Sequence, residues 1–509
     1  MKKITFISVI ALLLHSLSLT AQKDDKTREK EFNSSIDAYI KQMMEKVPHI
    51  PAIAVVVIKN DQPVFVRAYG VANKETGEKA DANTLFYIAS STKSFTALGA
   101  ALLDKEGKIK LDDPVIKYAK GISFKNPIPE KVIVRDLLTH TSGLQNDPLT
   151  FRVAYSGESQ AGDMAKVFGD VTSFVDSNYN RYDYDNLGYN IYAVLLQQSQ
   201  DKKWQDLLQQ KIFDPLGMKH TTAYISKAPL NKWKIAAPYL FSGETGTIVR
   251  SPLDKKDNNM QSAGGIFASA SDMGTWLNMN MNNGKLNGKQ IIPAEIIQRC
   301  QTGYTKTTRN QVPFVGDGEY GLGWQIGKYK NEKVIYHHGG FPGYSSHVSF
   351  MPDKKIAIAV LTNDGAAGGR TVHMLAAYTY EWWLQTGNLE ETYAKMLQDL
   401  AEQYEKRKAS MISGAADRAK RVSQLSMPLD NYTGTYSNPD YGTIQVSNQD
   451  NNLSVKMGNM NCASTAFTQK ETIRVEMIPG SGEVIKFKAD GENKIGWLNY
   501  AGIEFVKLK

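Results

Sequence analysis

The sequence predicts an α+β fold, with antiparallel strands at both ends of a largely helical middle. Residues 52–59 are apolar and β-branched, Asn60-Asp61 is a turn signal, and residues 63–71 return as a second strand. Residues 320–363 indicate further strands separated by short turns, which favours antiparallel pairing. Residues 130–220, in between, are mostly helical and loop-like. No glycine-rich phosphate-binding fingerprint follows an early strand, so a doubly wound nucleotide-binding fold is not expected.

The 509 residues are too many for one ordinary core, and their composition divides them into four segments. A positive start, an apolar stretch and a small-residue exit indicate a secretory signal peptide over 1–21. Residues 22–387 are the predicted main domain, 388–425 a helical linker with a narrow apolar stripe, and 426–509 a small all-β, barrel-like C-terminal domain. An uncleaved membrane anchor is the alternative for the first segment, although its apolar run is short for a span.

Charge and cysteine content limit the expected partners. The net charge is +8, but the lysines are spread without basic runs or interleaved aromatics, so no nucleic-acid binding is expected. After removal of the signal peptide, no stretch reaches the roughly 18 apolar residues of a membrane span. Cys300 and Cys462 lie in different predicted domains and either pair in an oxidising compartment or remain buried thiols. The predicted localisation is export, to the periplasm or beyond the cell.

A serine and a lysine one helical turn apart are the first candidates for chemistry. In Ser90-x-x-Lys93 the two side chains lie at i and i+3 on one helix face, so they can meet. A serine hydroxyl needs a neighbouring base, and a helix start offers free N–H groups where an oxyanion forms. The spacing alone is weak, because Ser199 and Lys202 share it. A helix cap beside a surface lysine is the alternative.

Two further motifs offer a phenol, an amide and an imidazole. Tyr184 stands two residues before Asn186. A phenol with a pKa of about 10 acts as a base near neutrality only beside cations, and a core tyrosine is the alternative. In His337-His338-Gly339-Gly340 the glycines let the backbone approach a substrate closely. A histidine pair in a turn is the alternative there. No metal site is predicted, since no carboxylate or third histidine stands at ligand spacing.

Six collinear blocks within residues 35–385 resemble the class C β-lactamase-related serine hydrolases. The blocks are Tyr87-Ile88-Ala89-Ser90-Ser91-Thr92-Lys93-Ser94-Phe95-Thr96, Arg135-Asp136-Leu137-Leu138-Thr139-His140-Thr141-Ser142-Gly143-Leu144, Tyr184-Asp185-Asn186-Leu187-Gly188-Tyr189, Pro215-Leu216-Gly217-Met218, Ala263-Gly264-Gly265-Ile266 and 337–346. The resemblance implies a β-lactamase/transpeptidase-like fold, in which helices and a helical subdomain flank an antiparallel sheet. It also implies catalysis through an acyl-enzyme, without a cofactor.

The resemblance also implies a role for each candidate by position. It implies that Ser90 is the acylated nucleophile and that Lys93 is its electrostatic and proton-relay partner. Tyr184 is the implied general base, and Asn186 assists Tyr184 and holds the substrate amide. The backbone N–H groups of Ser90 and Gly340 are the implied oxyanion hole. Proton sharing between the lysine and the tyrosine leaves the identity of the base open. His337 stands where β-lactamases of this class carry the lysine of a Lys-Thr-Gly motif, so efficient β-lactam hydrolysis is not expected. A register shifted to His338-Gly339-Gly340 is the alternative.

The predicted function is that of an exported serine hydrolase acting on a short peptide, amide or ester. Cell-wall-derived or D-amino-acid-containing peptides are the favoured substrates. The alternatives are a peptide- or peptidoglycan-binding protein without turnover and a true β-lactamase. The C-terminal segment, opening with Tyr432-x-Gly434-x-Tyr436, resembles the lipocalin-like domains appended to several family members. Such a domain covers the mouth of the active site, mediates assembly, or only stabilises the protein. Whether this chain self-associates is left open.

Overall fold

The computed structural model describes residues 4–158, 163–307, 318–491 and 494–509, with side chains from residue 25 onward. Its α-helices are α1 (Ile4–Lys46), α2 (Thr92–Lys105), α3 (Val134–Thr139), α4 (Asp147–Phe151), α5 (Asp163–Val171), α6 (Leu187–Gln200), α7 (Trp204–Leu208), α8 (Asp214–Leu216), α9 (Lys227–Leu230), α10 (Ala270–Met281), α11 (Ala294–Cys300), α12 (Gly368–Leu384) and α13 (Leu389–Ala419). The strands before α12 are β1 (Ala52–Lys59), β2 (Gln62–Asn73), β3 (Glu78–Lys79), β4 (Phe86–Tyr87), β5 (Leu144–Gln145), β6 (Ser173–Phe174), β7 (Thr221–Thr222), β8 (Tyr239–Ser242), β9 (Thr247–Arg250), β10 (Phe267–Ala268), β11 (Lys285–Leu286), β12 (Lys289–Gln290), β13 (Thr305–Thr307), β14 (Gly318–Tyr320), β15 (Gln325–Tyr329), β16 (Glu332–Phe341), β17 (Tyr344–Met351) and β18 (Ile356–Thr362).

A nine-stranded sheet forms the centre of this part, in the order β13-β14-β15-β16-β17-β18-β1-β2-β3. Its pairings are antiparallel, as the short turns predicted. Strand β1 is an unbroken apolar run because the sheet is covered on both faces. Ala54 and Val56 face one core, whereas Val55 and Val57 face the other. This arrangement confirms the predicted α+β architecture.

Helices cover each face of the sheet and close the two cores. On the first face, Phe95 of α2 stacks on Trp276 of α10 with 3.7 Å between ring centroids. On the second face, Tyr39 of α1 stacks on Tyr378 of α12 with 4.6 Å between ring centroids. The helices α3 to α8 lie between β4 and β7 in the chain and form the predicted helical subdomain. The first core therefore supports the region in which Ser90 lies.

The strands after α13 form a second nine-stranded antiparallel sheet. They are β19 (Gly434–Asn438), β20 (Gly442–Gln449), β21 (Asn452–Met457), β22 (Met460–Ala463), β23 (Thr465–Ala466), β24 (Thr472–Val475), β25 (Glu483–Ala489), β26 (Ile495–Tyr500) and β27 (Ile503–Lys507). The two edge strands, β22 and β23, are consecutive in the chain, so the sheet curls into a nearly closed barrel around buried Tyr436, Val455 and Phe487. The predicted barrel-like C-terminal domain is confirmed, and its likeness to lipocalins stays a prediction.

The barrel docks on the helical subdomain through polar contacts. The Glu158 carboxylate accepts hydrogen bonds from the backbone N–H and the hydroxyl of Thr443, both at 3.0 Å. The backbone N–H of Asn459 donates to the Ser156 carbonyl at 2.7 Å. Residues 156–158 thus join the helical subdomain to the barrel.

The N-terminal segment and the cysteines bear on two predictions. Helix α1 runs without a break from Ile4 through residue 21, where cleavage is predicted, and residues 1–3 lie outside the described part. A continuous helix does not test cleavage, and the signal peptide stays a prediction. Among the described residues, no helix combines the length and the apolar character needed to cross a membrane.

Cys300 is buried, Cys462 is half-buried, and both are free thiols, so they do not form the disulfide considered above.

Candidate active site

Ser90 lies on a tight turn that leads into helix α2. A 3-10 turn spans Ala89–Ser91, and Ala89 has a left-handed φ of 45°, which is unusual for a residue with a side chain. The turn is fixed from behind, because the Ser346 hydroxyl of β17 donates to the Ile88 carbonyl at 2.7 Å. Ser90 itself is half-buried, so its hydroxyl is accessible while its backbone is held.

Lys93 is fully buried and joins three of the motifs identified in the sequence. Its ammonium nitrogen lies 3.3 Å from Ser90 Oγ, 2.7 Å from Asn186 Oδ1 and 3.1 Å from the Ala263 carbonyl. Burial lowers the pKa of Lys93 to about 7, and the Asp185 carboxylate opposes that shift. Near neutral pH a large fraction of the amines is therefore uncharged and can take a proton from the serine.

Tyr184 and Asn186 precede helix α6 in a loop, and Asn186 is its N-cap residue. The Tyr184 ring lies over the lysine, with Lys93 Nζ 4.8 Å from the ring centroid. When Lys93 holds the proton, its ammonium stabilises a Tyr184 phenolate, so the amine and the phenol can share one proton and act as the base together. The structure thus brings together Ser90, Lys93, Tyr184 and Asn186 as the sequence predicted. Their catalytic roles stay predictions.

His337 lies inside strand β16, one residue beyond the last β15 pairing, so the alternative of a histidine pair in a turn is wrong. Its ring is fully buried, and Nδ1 lies 2.8 Å from the His338 carbonyl, which can only accept a hydrogen bond. The proton is therefore on Nδ1, and Nε2 accepts from the Tyr320 hydroxyl at 3.3 Å. Burial, with His338 and Lys93 nearby, lowers the pKa of His337 well below its usual value. This imidazole is neutral, whereas a lysine at the same place carries a charge.

The two histidines of the motif face opposite sides of the sheet. Since side chains alternate along a strand, His337 points to the Ser90 side and His338 to the helix α12 side. The His338 ring there lies 5.5 Å from the ring of His373, whose Nδ1 is 3.1 Å from His347 Nδ1. The geometry therefore favours the register that starts at His337 over the shifted alternative.

Gly339 is the point at which β16 approaches the serine turn most closely. A Cβ atom added there meets the Ile88 carbonyl oxygen at 2.0 Å and the Ser90 nitrogen at 2.9 Å, so only glycine fits. At Gly340 an added Cβ meets nothing within 4 Å. Among the described strands, none pairs with the second edge of β16 beyond Tyr336. A substrate backbone can therefore lie along this edge, between Gly340 and Ser90.

Two aromatic residues of the site were not among the sequence candidates. His140 is the left-handed C-cap residue of α3, with φ 61°, and its buried ring lies 4.5 Å from the Tyr184 ring. The Tyr320 hydroxyl donates to His337 Nε2, and the centroid of the Tyr320 ring lies 4.8 Å from that of the His140 ring. His140 stands inside a motif block quoted above, which is a signal for it. Nothing in the local sequence distinguishes Tyr320 from the other tyrosines.

The arrangement contains the parts of a serine acyl-transfer site. A hydroxyl nucleophile contacts an amine of lowered pKa, and an aromatic phenol lies beside that amine. The oxyanion hole of the Ser90 and Gly340 N–H groups stays a prediction. Within the described residues, no group of histidine, cysteine or carboxylate side chains could hold a metal ion.

Comparison with known proteins agrees with this geometry. Residues 36–381 match the family described as Beta-lactamase, which is more than half of the chain. The chain belongs to the Beta-lactamase family. It is accordingly a serine hydrolase with a β-lactamase/transpeptidase-like fold, as the resemblance implied. Residues 418–478 match a second family, described only as a domain of unknown function, DUF3471.

Individual relatives are distant. An unguisins hydrolase, ungD, of Aspergillus violaceofuscus is 24% identical over 436 residues, covering 79% of this chain and 74% of that protein. Protein flp of Staphylococcus aureus is 23% identical over 330 residues, covering 64% of this chain and 62% of its own length. The solved structures include an octameric penicillin-binding protein homologue from Pyrococcus abyssi, with TM-score 0.57, 22% identity and coverage of 93% and 99%. A D-amino acid amidase from Ochrobactrum anthropi SV3 has TM-score 0.57, 20% identity and coverage of 69% and 100%. These structures share the fold.

Proposed function

We propose that this family member is an exported hydrolase that cleaves a short peptide, amide or ester through an acyl-enzyme on Ser90. The observation that carries the proposal is the position of Lys93 Nζ, buried and 3.3 Å from Ser90 Oγ. A buried amine of lowered pKa beside a serine hydroxyl is an activating base and has little structural purpose otherwise.

In the proposed reaction, Ser90 Oγ attacks the substrate carbonyl carbon while its proton passes to the Lys93–Tyr184 pair. The oxyanion accepts hydrogen bonds from the backbone N–H groups of Ser90 and Gly340. When the tetrahedral adduct collapses, the bond to the leaving group breaks and the same pair returns the proton to that group. Water then attacks the acyl-enzyme by the reverse sequence, releasing the acid and the free serine. Asn186, which holds Lys93 at 2.7 Å, orients the amine throughout.

The proposed substrates are cell-wall-derived or D-amino-acid-containing peptides, and not β-lactams. A neutral His337 supplies no cation for the carboxylate that a β-lactam presents at this position. The fold is shared with a D-amino acid amidase, which supports a peptide-type substrate. Export is proposed from the charged start and the apolar stretch of residues 1–21. The octameric homologue supports self-association as a further proposal.

The decisive experiment is hydrolysis of a short-chain aryl ester, with intact mass measured after acid quenching. Wild type is expected to turn over and to show a transient adduct of the acyl mass, and Ser90→Ala is expected to show neither. Ser199→Ala is the matched control, because Ser199 also precedes a lysine by three residues but donates to the Leu195 carbonyl inside α6. Full activity of folded Ser90→Ala contradicts the assignment. A folded wild type with no turnover and no adduct favours the binding-protein alternative.

A further inference from the structure

A cavity of about 1000 Å³ lies beside the tip of the β16–β17 hairpin, outside the cluster around Lys93. Gly340 and Phe341 form one wall, and the β8–β9 hairpin and the start of α12 form the next. Helix α13 and the turn Pro479-Gly480 of the barrel close the far side. The cavity, called here the hairpin chamber, is therefore built jointly by the hydrolase domain, the linker helix and the barrel.

The hairpin chamber begins where the proposed oxyanion site ends. Gly340, whose N–H is the proposed oxyanion donor, lines the chamber, and an added Cβ there would meet only open space. By strand alternation Gly340 faces the α12 side of β16, as His338 does, so a substrate held along the free edge of β16 reaches the chamber by passing around the strand at Gly340. The chamber is therefore placed to hold a part of the substrate some atoms away from the bond that breaks.

The lining of the hairpin chamber is basic. Four basic and two acidic side chains line it, and one of the acids, Glu476, is already held by Arg474 and by the N–H of Gly480. Among the basic groups, Lys408 is paired with Glu405 at 3.3 Å. The remaining basic residues include Arg407 and Arg418, which both come from α13.

Arg407 is fixed by a neutral partner. Its Nη1 donates to the Ala366 carbonyl at 3.1 Å, which holds the side chain over the start of α12. The buried Asp364 carboxylate lies near enough for an electrostatic interaction, but it already accepts the N–H groups of Ala366 and Ala367 just before α12. The guanidinium therefore keeps donors for a further anion.

We infer that the hairpin chamber binds a carboxylate carried by the substrate, which accepts hydrogen bonds from the Arg407 guanidinium, while Arg418, about three turns further along helix α13, adds positive charge to the lining. Both residues lie beyond residue 381, where the match to the Beta-lactamase family ends, so the subsite belongs to the added C-terminal part of this chain. The inference rests on the proposed function and names the charge class of its substrate. The linker helix and the barrel then contribute to recognition of the substrate.

Two pairs of ester substrates test the inference on either side of the scissile bond. The first pair consists of two 4-nitrophenyl esters of six-carbon acyl groups. One is the monoester of adipic acid, which has a free carboxylate at its far end, and the other carries a neutral carboxamide in place of that carboxylate. In the second pair the leaving phenol carries a carboxylate or a carboxamide, each as the butyrate ester. Wild type is expected to prefer the carboxylate partner in one pair by about ten-fold in kcat/KM, mainly through KM.

The double variant Arg407→Gln/Arg418→Gln is expected to lose that preference about ten-fold. Lys406→Gln is the matched control, because Lys406 is the neighbouring exposed cation on α13 but does not line the chamber. It removes a positive charge from the same helix and is expected to keep the preference. The inference is overturned if wild type shows no preference in either pair, or if the double variant keeps it.

A binding measurement separates failure of the inference from failure of the proposed function. Calorimetric titration of Ser90→Ala with free adipate and with adipamide needs no turnover. Adipate is expected to bind at least about five-fold more tightly than adipamide, and the added arginine substitutions are expected to abolish the difference. Equal affinity contradicts the chamber assignment even if ester turnover depends on Ser90. Selective adipate binding without any turnover supports the chamber and contradicts the proposed hydrolase. Inorganic phosphate is the third probe, and tighter binding of phosphate than of adipate contradicts the assignment to a carboxylate.

Discussion

At the scale of single residues, the protonation of Lys93 governs the chemistry. Its contacts are oxygens of Ser90, Asn186 and Ala263, and burial without a directly bonded carboxylate brings its pKa to about 7. The neighbouring imidazole of His337 is neutral, since burial lowers its pKa well below the usual value. The site therefore has one group that changes charge near neutral pH and one that does not.

The first prediction concerns pH. Below about pH 7 Lys93 is an ammonium and cannot accept the serine proton, so kcat/KM for ester hydrolysis is expected to rise with pH through a midpoint near 7. Lys93→Arg keeps the charge at every pH and is expected to lose at least about 100-fold in kcat/KM. Steady-state rates between pH 5 and 9 measure both. A flat profile, or an active arginine variant, contradicts this account of the base.

The second prediction concerns the contact between Gly339 and the serine turn. Gly339→Ala places a Cβ 2.0 Å from the Ile88 carbonyl oxygen, and backbone cannot yield as a side chain can. The variant is expected to fold and to lose at least about 100-fold in kcat/KM, because β16 moves away from Ser90. Gly327→Ala in β15 is the control, since its nearest neighbour is 3.6 Å away. Equal activity of the two variants would argue against the close approach.

The candidate residues differ in how visible they are in the sequence. Ser90 and Lys93 are three residues apart on one helix, so their meeting follows from local geometry. Tyr184 and Asn186 could be singled out only through the family resemblance, because Tyr-x-Asn recurs at Tyr329. Tyr320 reaches His337 through pairing across β14, β15 and β16, which is a long-range contact that no local pattern encodes.

At the scale of elements, strand β16 shows where sequence patterns mislead. The sequence left a turn at His337-His338 open as an alternative, yet strand pairing continues through the two glycines to Phe341↔Tyr344. Glycine is disfavoured in strands by its own propensity, but here each residue is held by a partner on β17. The apolar run of β1 and the helix α2 follow their local patterns more directly, because core burial and propensity point the same way.

The third prediction concerns helix α13, which packs on the second core. Leu397 is 1% exposed there, so Leu397→Ala removes buried methyl groups and leaves a cavity. The free energy of the first unfolding transition in urea is expected to fall by about 2–5 kcal/mol. Leu230→Ala is the matched substitution at a position 84% exposed, and a change within about 0.5 kcal/mol is expected. A small effect at Leu397 would show that α13 is only loosely attached.

At the scale of the whole molecule, the barrel and the hydrolase domain meet next to the proposed substrate path. Phe341 at the end of β16 packs both against the first core and against the barrel core. The Tyr155 ring, from the segment that contacts the barrel, stacks on Phe341 with 6.0 Å between ring centroids. A shift of the barrel therefore changes the hairpin chamber without touching Ser90 or Lys93.

The fourth prediction tests this coupling with two glycines of the barrel. Gly442 has φ 96°, and an added Cβ meets Glu158 Oε2 at 1.6 Å, so Gly442→Ala displaces the carboxylate that holds Thr443. Gly502 has φ 83° with nothing within 4 Å, so Gly502→Ala brings comparable backbone strain without touching the hydrolase domain. Comparison of the two variants isolates the interface.

Gly442→Ala is expected to speed hydrogen exchange at the Thr443 amide and over residues 151–158, because the Glu158 hydrogen bonds are lost. It is also expected to raise KM for the carboxylate-bearing ester several-fold, while kcat/KM for a short neutral ester changes little. Gly502→Ala is expected to leave both unchanged. If the two variants behave alike, backbone strain within the barrel explains the effect, and the barrel acts as a stabilising appendage and not as a wall of the substrate site.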